Sequence, residues 1–242
     1  MIKQQKGDIR LAPGEFSGAV SLRKFKVEGY GSCVLSLLQK DKKYYRNNGY
    51  EYAWMRMIIA VKDLDGFRYI DGSYSNEKVL SVRCALNPGE YYAIIMGDWK
   101  KRVLDVTLNY QGNVEVELTR ESLSIHPKIL EETCKDMAQR FGKFKQLTKS
   151  ICSYQYKDYR SKLMIENFIN ESQREVNLHR GYSMSVLNYY IYGNSCGNTS
   201  HKLENGKEIK TTLDREGEKT FIGVFVGEVS DEDWEGADFN RY

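Results

Sequence analysis

Cys33 and His179 are the residues in this 242-residue chain whose types would suit a thiol protease, with Asn198 and Trp234 further along. Cys33 lies in VEGYGSCVLSLLQKDKKYY (27–45) and His179 in REVNLHRGYSM. Such an enzyme needs a thiolate held by an adjacent imidazole, with the cysteine at the start of a helix whose dipole lowers its pKa. Gly31-Ser32-Cys33 before an apolar run suits that neighbourhood, but equally suits a buried strand running into a basic turn. The surroundings favour the strand. His179 reads as a strand end, His126 precedes Pro127 as a helix cap, and His201 falls in a polar loop, so no catalytic residue is expected.

Other chemistry-bearing groups are weaker. Asp63, Asp65 and Asp71 form one acidic cluster, and Asp231, Glu232, Asp233 and Glu235 another. Calcium needs converging oxygens, and neither cluster follows the D-x-D-x-D-G loop spacing. Cations interleave with aromatics in QKDKKYYR, giving Lys40, Lys42, Lys43 and Arg46; Lys100, Lys101 and Arg102 add a second group. Together these seven are a candidate patch for anionic lipid headgroups or acidic partners. No P-loop is present, because EGYGS lacks the following Lys-Ser/Thr. The five cysteines (Cys33, Cys84, Cys134, Cys152 and Cys196) are odd in number and widely spread, which points to reduced, mostly buried thiols rather than a zinc site or disulfide framework. No metal or cofactor is expected. A net charge of +3 is too slight for a nucleic-acid binder.

The elements that position these residues read as strands. From about residue 16 to 118 short runs rich in Val, Ile, Tyr and Leu alternate with Gly, Asn and Asp: Cys33 to Leu38, Ala53 to Val61, Val79 to Leu86, Tyr91 to Met96, Val103 to Tyr110 and Val114 to Leu118. Asp65-Gly66, Asp71-Gly72 and Gln111-Gly112-Asn113 mark turns, and the whole reads as an antiparallel sandwich. SIHPKILEETCKDMAQRFGKFKQL (124–147) changes period. Ile129, Leu130, Cys134, Met137, Ala138, Phe141 and Phe144 fall near 3,4 spacing, Pro127 suits the first turn, and Lys143 and Lys145 sit late, as an amphipathic helix requires. Strand-like text then resumes at Ile151 to Tyr156, Lys162 to Ile169, Arg174 to His179, Met184 to Tyr192, Glu208 to Leu213 and Lys219 to Val229. A weak echo links VLDVTLNYQGN (103–113) to VLNYYIYGN (186–194). The N-terminus has no apolar signal region, and no run approaches the roughly 20 apolar residues of a membrane span.

The expectation is a mainly β protein: two antiparallel β-sandwich domains, 1–120 and 148–242, joined by one amphipathic α-helix within 121–147. Three stretches, CVLSLLQKDKKYYR, KVLSVRCALNPGEYYAIIM and RVLDVTLNY, resemble the C2-like domain of calpains. The matching residues are Leu37, Leu38, Gln39, Lys40 and Asp41, then Leu86, Asn87, Pro88, Gly89, Glu90 and Tyr91. Residues 148–230, with LMIENF and TTLDREGEKTFIGVFVG, are similar to a β-domain that follows the C2-like one in some calpain-like proteins of protists. This resemblance implies a sandwich that contacts other domains, partners or lipid, while cleavage belongs to a separate papain-like domain. Val34 stands where the papain family has its aromatic, and the Gly-x-Cys-Trp element of calpains is absent. The expected function is therefore a non-catalytic interaction or structural subunit of a larger intracellular assembly, cytoplasmic, with cytoskeleton or cilium among its locations. Two readings stay open beside it: a calcium- or phospholipid-responsive adaptor, and a residual cysteine protease built on Cys33 and His179.

Overall fold

The computed structural model describes residues 3–11, 19–41, 51–98, 104–120, 126–181, 186–192, 199–204, 208–213 and 219–225. Among them are seventeen strands, all paired antiparallel, and one helix. No helix among the described residues is long and apolar enough to cross a membrane. The chain divides into two compact units, Met1–Thr133 and Cys134–Tyr242.

The first unit holds β1 (Lys3–Leu11), β2 (Ala19–Val27), β3 (Gly31–Gln39), β4 (Trp54–Asp63), β5 (Gly66–Ser75), β6 (Val79–Leu86), β7 (Gly89–Asp98), β8 (Leu104–Gly112) and β9 (Val116–Arg120). They form a sheet of order β1-β8-β3-β6 and another of order β5-β4-β7-β2-β9. The pairs nest: β4 with β5, β3 with β6, β2 with β7 and β1 with β8. The chain is thus one long antiparallel ribbon, folded so that β3 also meets β8 and β4 meets β7. This is the strand order of a double-Greek-key jelly roll.

Period-2 alternation builds its core. In β6, Leu80, Val82, Cys84 and Leu86 are buried while Val79, Ser81, Arg83 and Ala85 are exposed. Cys33, Leu35 and Leu37 of β3, Phe25 and Val27 of β2, Met55, Met57 and Ile59 of β4, and Val106, Leu108 and Tyr110 of β8 join them in one cluster. Side chains from both sheets meet there, which is what makes the unit a sandwich. The five-stranded sheet is also covered on its other face, where Leu22, Ile58 and Ile94 share one row and are all buried.

Asp65-Gly66 is the β4–β5 turn, with Gly66 at φ 137°. Asp71-Gly72, expected as a turn, lies inside β5. There the register shifts between Ile59 and Ala60, whose partners are Asp71 and Tyr69, so Ile70 is the extra residue of a β-bulge. Gly72 therefore continues β5, paired with Ile58, rather than reversing the chain.

Helix α1 (His126–Phe141) buries Ile129, Leu130, Cys134, Met137 and Ala138. It is shorter than its apolar periodicity suggests. Gly142 donates its N–H to the carbonyl of Ala138, and a Cβ at residue 142 would lie 2.2 Å from that oxygen, so glycine is the residue that fits where the helix gives way to the next strand. Lys143, Phe144 and Lys145, expected in its last turn, form a strand instead, and Arg140 is the cation of that turn, paired with Asp136 at 2.8 Å.

The second unit continues with β10 (Lys143–Gln146), β11 (Ile151–Asp158), β12 (Leu163–Asn170), β13 (Val176–Gly181), β14 (Val186–Tyr192), β15 (Thr199–Glu204), β16 (Glu208–Leu213) and β17 (Lys219–Phe225). One sheet runs β10-β11-β12-β17-β14-β15 and a second pairs β13 with β16. Nesting recurs: β14 with β15, β13 with β16, β12 with β17, and β14 again beside β17. The sequence echo falls on β8 and β14, the last arm of one winding and the third arm of the other. It therefore reflects strand composition, not equivalent positions.

Candidate functional site

Cys33 sits in the middle of the first unit's core, with 2% of its surface exposed. It lies on β3 directly opposite Cys84 of β6, and the two Sγ atoms are 3.4 Å apart in a hydrogen bond. That bond, and then burial, push the Cys84 thiol well above its ordinary range. A buried thiol paired with another thiol on a strand lacks the electropositive, accessible setting of a nucleophile. His179 is on β13 of the second unit, opposite Lys210 in register. Cys134 and Cys152 are also free and buried, while Cys196, Asn198 and Trp234 lie outside the described residues. Iodoacetamide is expected to leave Cys33, Cys84 and Cys134 unlabelled in native protein and to modify all three in 6 M guanidinium, read by peptide mass spectrometry. Native labelling of Cys33 at the rate of a free thiol would show that the site is open.

The residues that carry the calpain resemblance form part of the framework. Gln39 is buried; its Nε2 donates to the carbonyls of Ala53 (2.8 Å) and Glu77 (3.2 Å), and its Oε1 accepts from the N–H of Ala53 (2.9 Å). Lys40 pairs with Asp105 at 2.8 Å and Asp41 with Lys78 at 2.9 Å. The Tyr91 hydroxyl accepts from the N–H of Asn87 and donates to its carbonyl, both at 3.0 Å, closing the turn through Pro88-Gly89. Glu90 pairs with Lys24 at 2.6 Å and Lys62 at 3.5 Å, and accepts from the Tyr92 hydroxyl.

Burial works to raise the Glu90 pKa, but the Lys24 ammonium, the Tyr92 hydroxyl and Lys62 together hold it below the ordinary carboxylate range. A depressed folded-state pKa contributes stability above the unfolded value that is lost as pH falls through the folded one. Glu90→Gln should therefore flatten the acid limb of the first unit's stability below about pH 4.3, measured as urea midpoints from pH 3 to 6. An unchanged slope would place the pH dependence elsewhere.

Of the seven cations in the candidate lipid patch, Lys40 alone is described, and Asp105 pairs with it. Lys42, Lys43, Arg46, Lys100, Lys101 and Arg102 lie outside the described residues, as do Asp231, Glu232, Asp233 and Glu235. Asp63 pairs with Arg68 and accepts from the N–H of Leu64, whereas Asp71 accepts from that of Gly72. In register Asp71 is opposite Ile59, four residues up β4 from Asp63, about 13 Å away at strand rise. Among the described residues no three His, Cys, Asp or Glu side chains converge as metal ligands. A groove of about 260 Å³ on the outer face of β1-β8-β3-β6 is lined by Gln4, Lys6, Val34, Ser36, Asn109 and Gln111, among others.

The surface that sequence reasoning missed lies at the start of the second unit. Among the described residues β10 is an edge strand, hydrogen-bonded to β11 alone, and all four of its residues are exposed. Phe144 (56% exposed) meets the Tyr154 ring edge-on at 5.5 Å. Phe141 (47%) lies 5.6 Å from the Tyr156 ring, and Lys157 stands 5.4 Å over that of Tyr159 (58%). Lys143 and Lys145 have no carboxylate partner among the described residues. The signal was present in KFKQ, a cation-aromatic-cation alternation just after Gly142, but Phe144 also continued the helical spacing.

These geometries define a mainly β chain whose first unit is a jelly-roll sandwich and which, among the described residues, presents an aromatic and cationic sheet edge. No protein-family model and no curated protein matches the chain. Among solved structures, it is similar to the tandem CBM22 domains of Paenibacillus barcinonensis Xyn10C, at 8% identity, TM-score 0.23, over 96% of this chain and 87% of that one. It is also similar to a GH2 beta-galacturonidase from Eisenbergiella tayi, at 9% identity, TM-score 0.26, over 87% of this chain and 37% of that one, so it spans little more than a third of the enzyme's length. A third is an S161A mutant of Bacillus subtilis oxalate decarboxylase OxdC, at 8% identity, TM-score 0.27, over 92% and 73%. Scores this low carry no functional meaning.

Proposed function

We propose that this chain is a non-catalytic interaction or structural subunit of a larger intracellular assembly, built as two β-sandwich domains joined by α1. A cytoplasmic place in a cytoskeletal or ciliary assembly accords with the calpain-like resemblance. The observation that carries the proposal is the exposed edge at β10, where Phe144 and the nearby Phe141 at the end of α1 are about half exposed and Lys143 and Lys145 have no carboxylate partner among the described residues. Aromatic side chains are enriched in the dry centres of interfaces, and several exposed together mark a contact surface. Cys33, as a buried core thiol without the setting of a nucleophile, supports the non-catalytic part of the reading.

The test is gradient sedimentation of a gentle extract of the protein's own cells at low and moderate salt. The chain should travel far above 28.1 kDa and resist salt, and a tagged Phe141→Ser/Phe144→Asp double variant should shift toward the free chain. A wild-type protein that sediments as a free monomer would refute the reading.

A further inference from the structure

We propose that β10 is the docking strand for a partner, and that the partner's segment is extended and alternates acidic, apolar and acidic residues. The inference rests on the interaction reading above and adds the chemistry of the partner.

Side chains alternate across a strand, so Lys143 and Lys145 project to one face of the sheet and Phe144 to the other. Register extends both faces inward. Lys143 and Lys145 stand beside Gln155 and Ser153 of β11, whereas Phe144 stands beside Tyr154. The outer side of β10 has no paired strand among the described residues. A strand added there would gain main-chain hydrogen bonds whatever its sequence, and its side chains would supply the specificity. Residues one and three of a matching triplet would face the two lysines and must be acidic. Residue two would stand beside the Phe144 ring, which Tyr154 meets from the other side, and must be apolar.

A second copy of this chain fits badly. Antiparallel pairing of two β10 strands would set Lys143 and Lys145 of one against the same lysines of the other, and like charges directly opposite destabilise a sheet. Lysines also guard edges against indiscriminate pairing, so the same two residues that repel a copy select an acidic partner.

The experiment uses the full chain and a fluorescein-labelled peptide, Gly-Ser-Glu-Val-Glu-Val-Glu-Ser-Gly, with a control of identical composition in which the three Glu precede the two Val. Anisotropy should show the alternating peptide binding at least fivefold tighter than the control, with binding weakened by salt. Lys143→Glu/Lys145→Glu, on exposed positions, should keep the wild-type melting temperature, lose the peptide and gain its Lys-Val-Lys-Val-Lys counterpart. Hydrogen exchange should slow at β10 amides when peptide binds. Equal binding of both peptides, or no effect of charge reversal, would overturn the proposal. If the Phe141/Phe144 variant leaves its assembly yet wild type ignores the alternating peptide, the partner chemistry fails and the interaction reading stands. If the peptide binds a chain that sediments as a monomer in its cells, strand addition stands and the assembly reading fails.

Discussion

Phe25→Ala should lower the stability of the first unit by about 3–5 kcal/mol, the usual cost of emptying a buried aromatic site. Phe25 is fully buried on β2, stacked on Tyr91 at 5.3 Å and 16°. Its strand is paired on both sides, by β7 and β9, so the backbone around the vacated ring has little freedom to collapse into it. Domains of this size are stable by about 5–15 kcal/mol in total, so the variant should be close to unfolding at body temperature. Urea denaturation followed by circular dichroism, with amide exchange to separate the units, would read it. A loss under 1 kcal/mol would mean that the two sheets do not enclose this ring.

Gln39→Leu is expected to cost about 2–4 kcal/mol, although leucine is apolar and of similar size, because each buried backbone group left unbonded costs about 1–3 kcal/mol. The Gln39 amide satisfies the N–H and carbonyl of Ala53, just ahead of β4, and the carbonyl of Glu77, just ahead of β6. It acts as a piece of backbone where the chain has none to offer. The adjacent Lys40→Ala should stay within about 0.5 kcal/mol, since an exposed ion pair contributes little. Equal costs for the two variants, by urea midpoint, would show that the amide is not the link.

That contrast also shows what the letters of the sequence could and could not convey. L-x-Q-K-D and L-x-P-G-E-Y were visible as a resemblance, and the structure assigns their polar members to joining strands: Gln39 by amide bonds, Tyr91 through Asn87, and Glu90 through Lys24 and Lys62. Alternation in VLDVTLNY and VEVEL identified β8 and β9, runs of strand-forming residues identified β6, and helical spacing identified α1. β1 was missed because KQQKGDIRL presents mostly polar side chains and has little apolar rhythm. β5 was missed because Asp71-Gly72, a turn signal in isolation, occupies a bulge whose existence depends on the pairing with β4. β10 was read as helix because Phe144 continued the 3,4 spacing, whereas pairing with β11, which no local pattern announces, makes it a strand.

Of the partner strands, β4 and β5 alone in the first unit are joined by a tight hairpin that local sequence could announce. β1 meets β8 in the register Lys3 with Gly112 through Leu11 with Leu104. During synthesis, therefore, β1 must wait until roughly ninety residues have followed it before its ladder with β8 can begin to form. Contacts so distant along the chain fold slowly, because loop closure precedes any gain from them. The polar text of β1, with Lys3, Gln4, Lys6 and Asp8 all exposed even in the finished sheet, suits a strand that must spend that interval unpaired without finding a wrong neighbour.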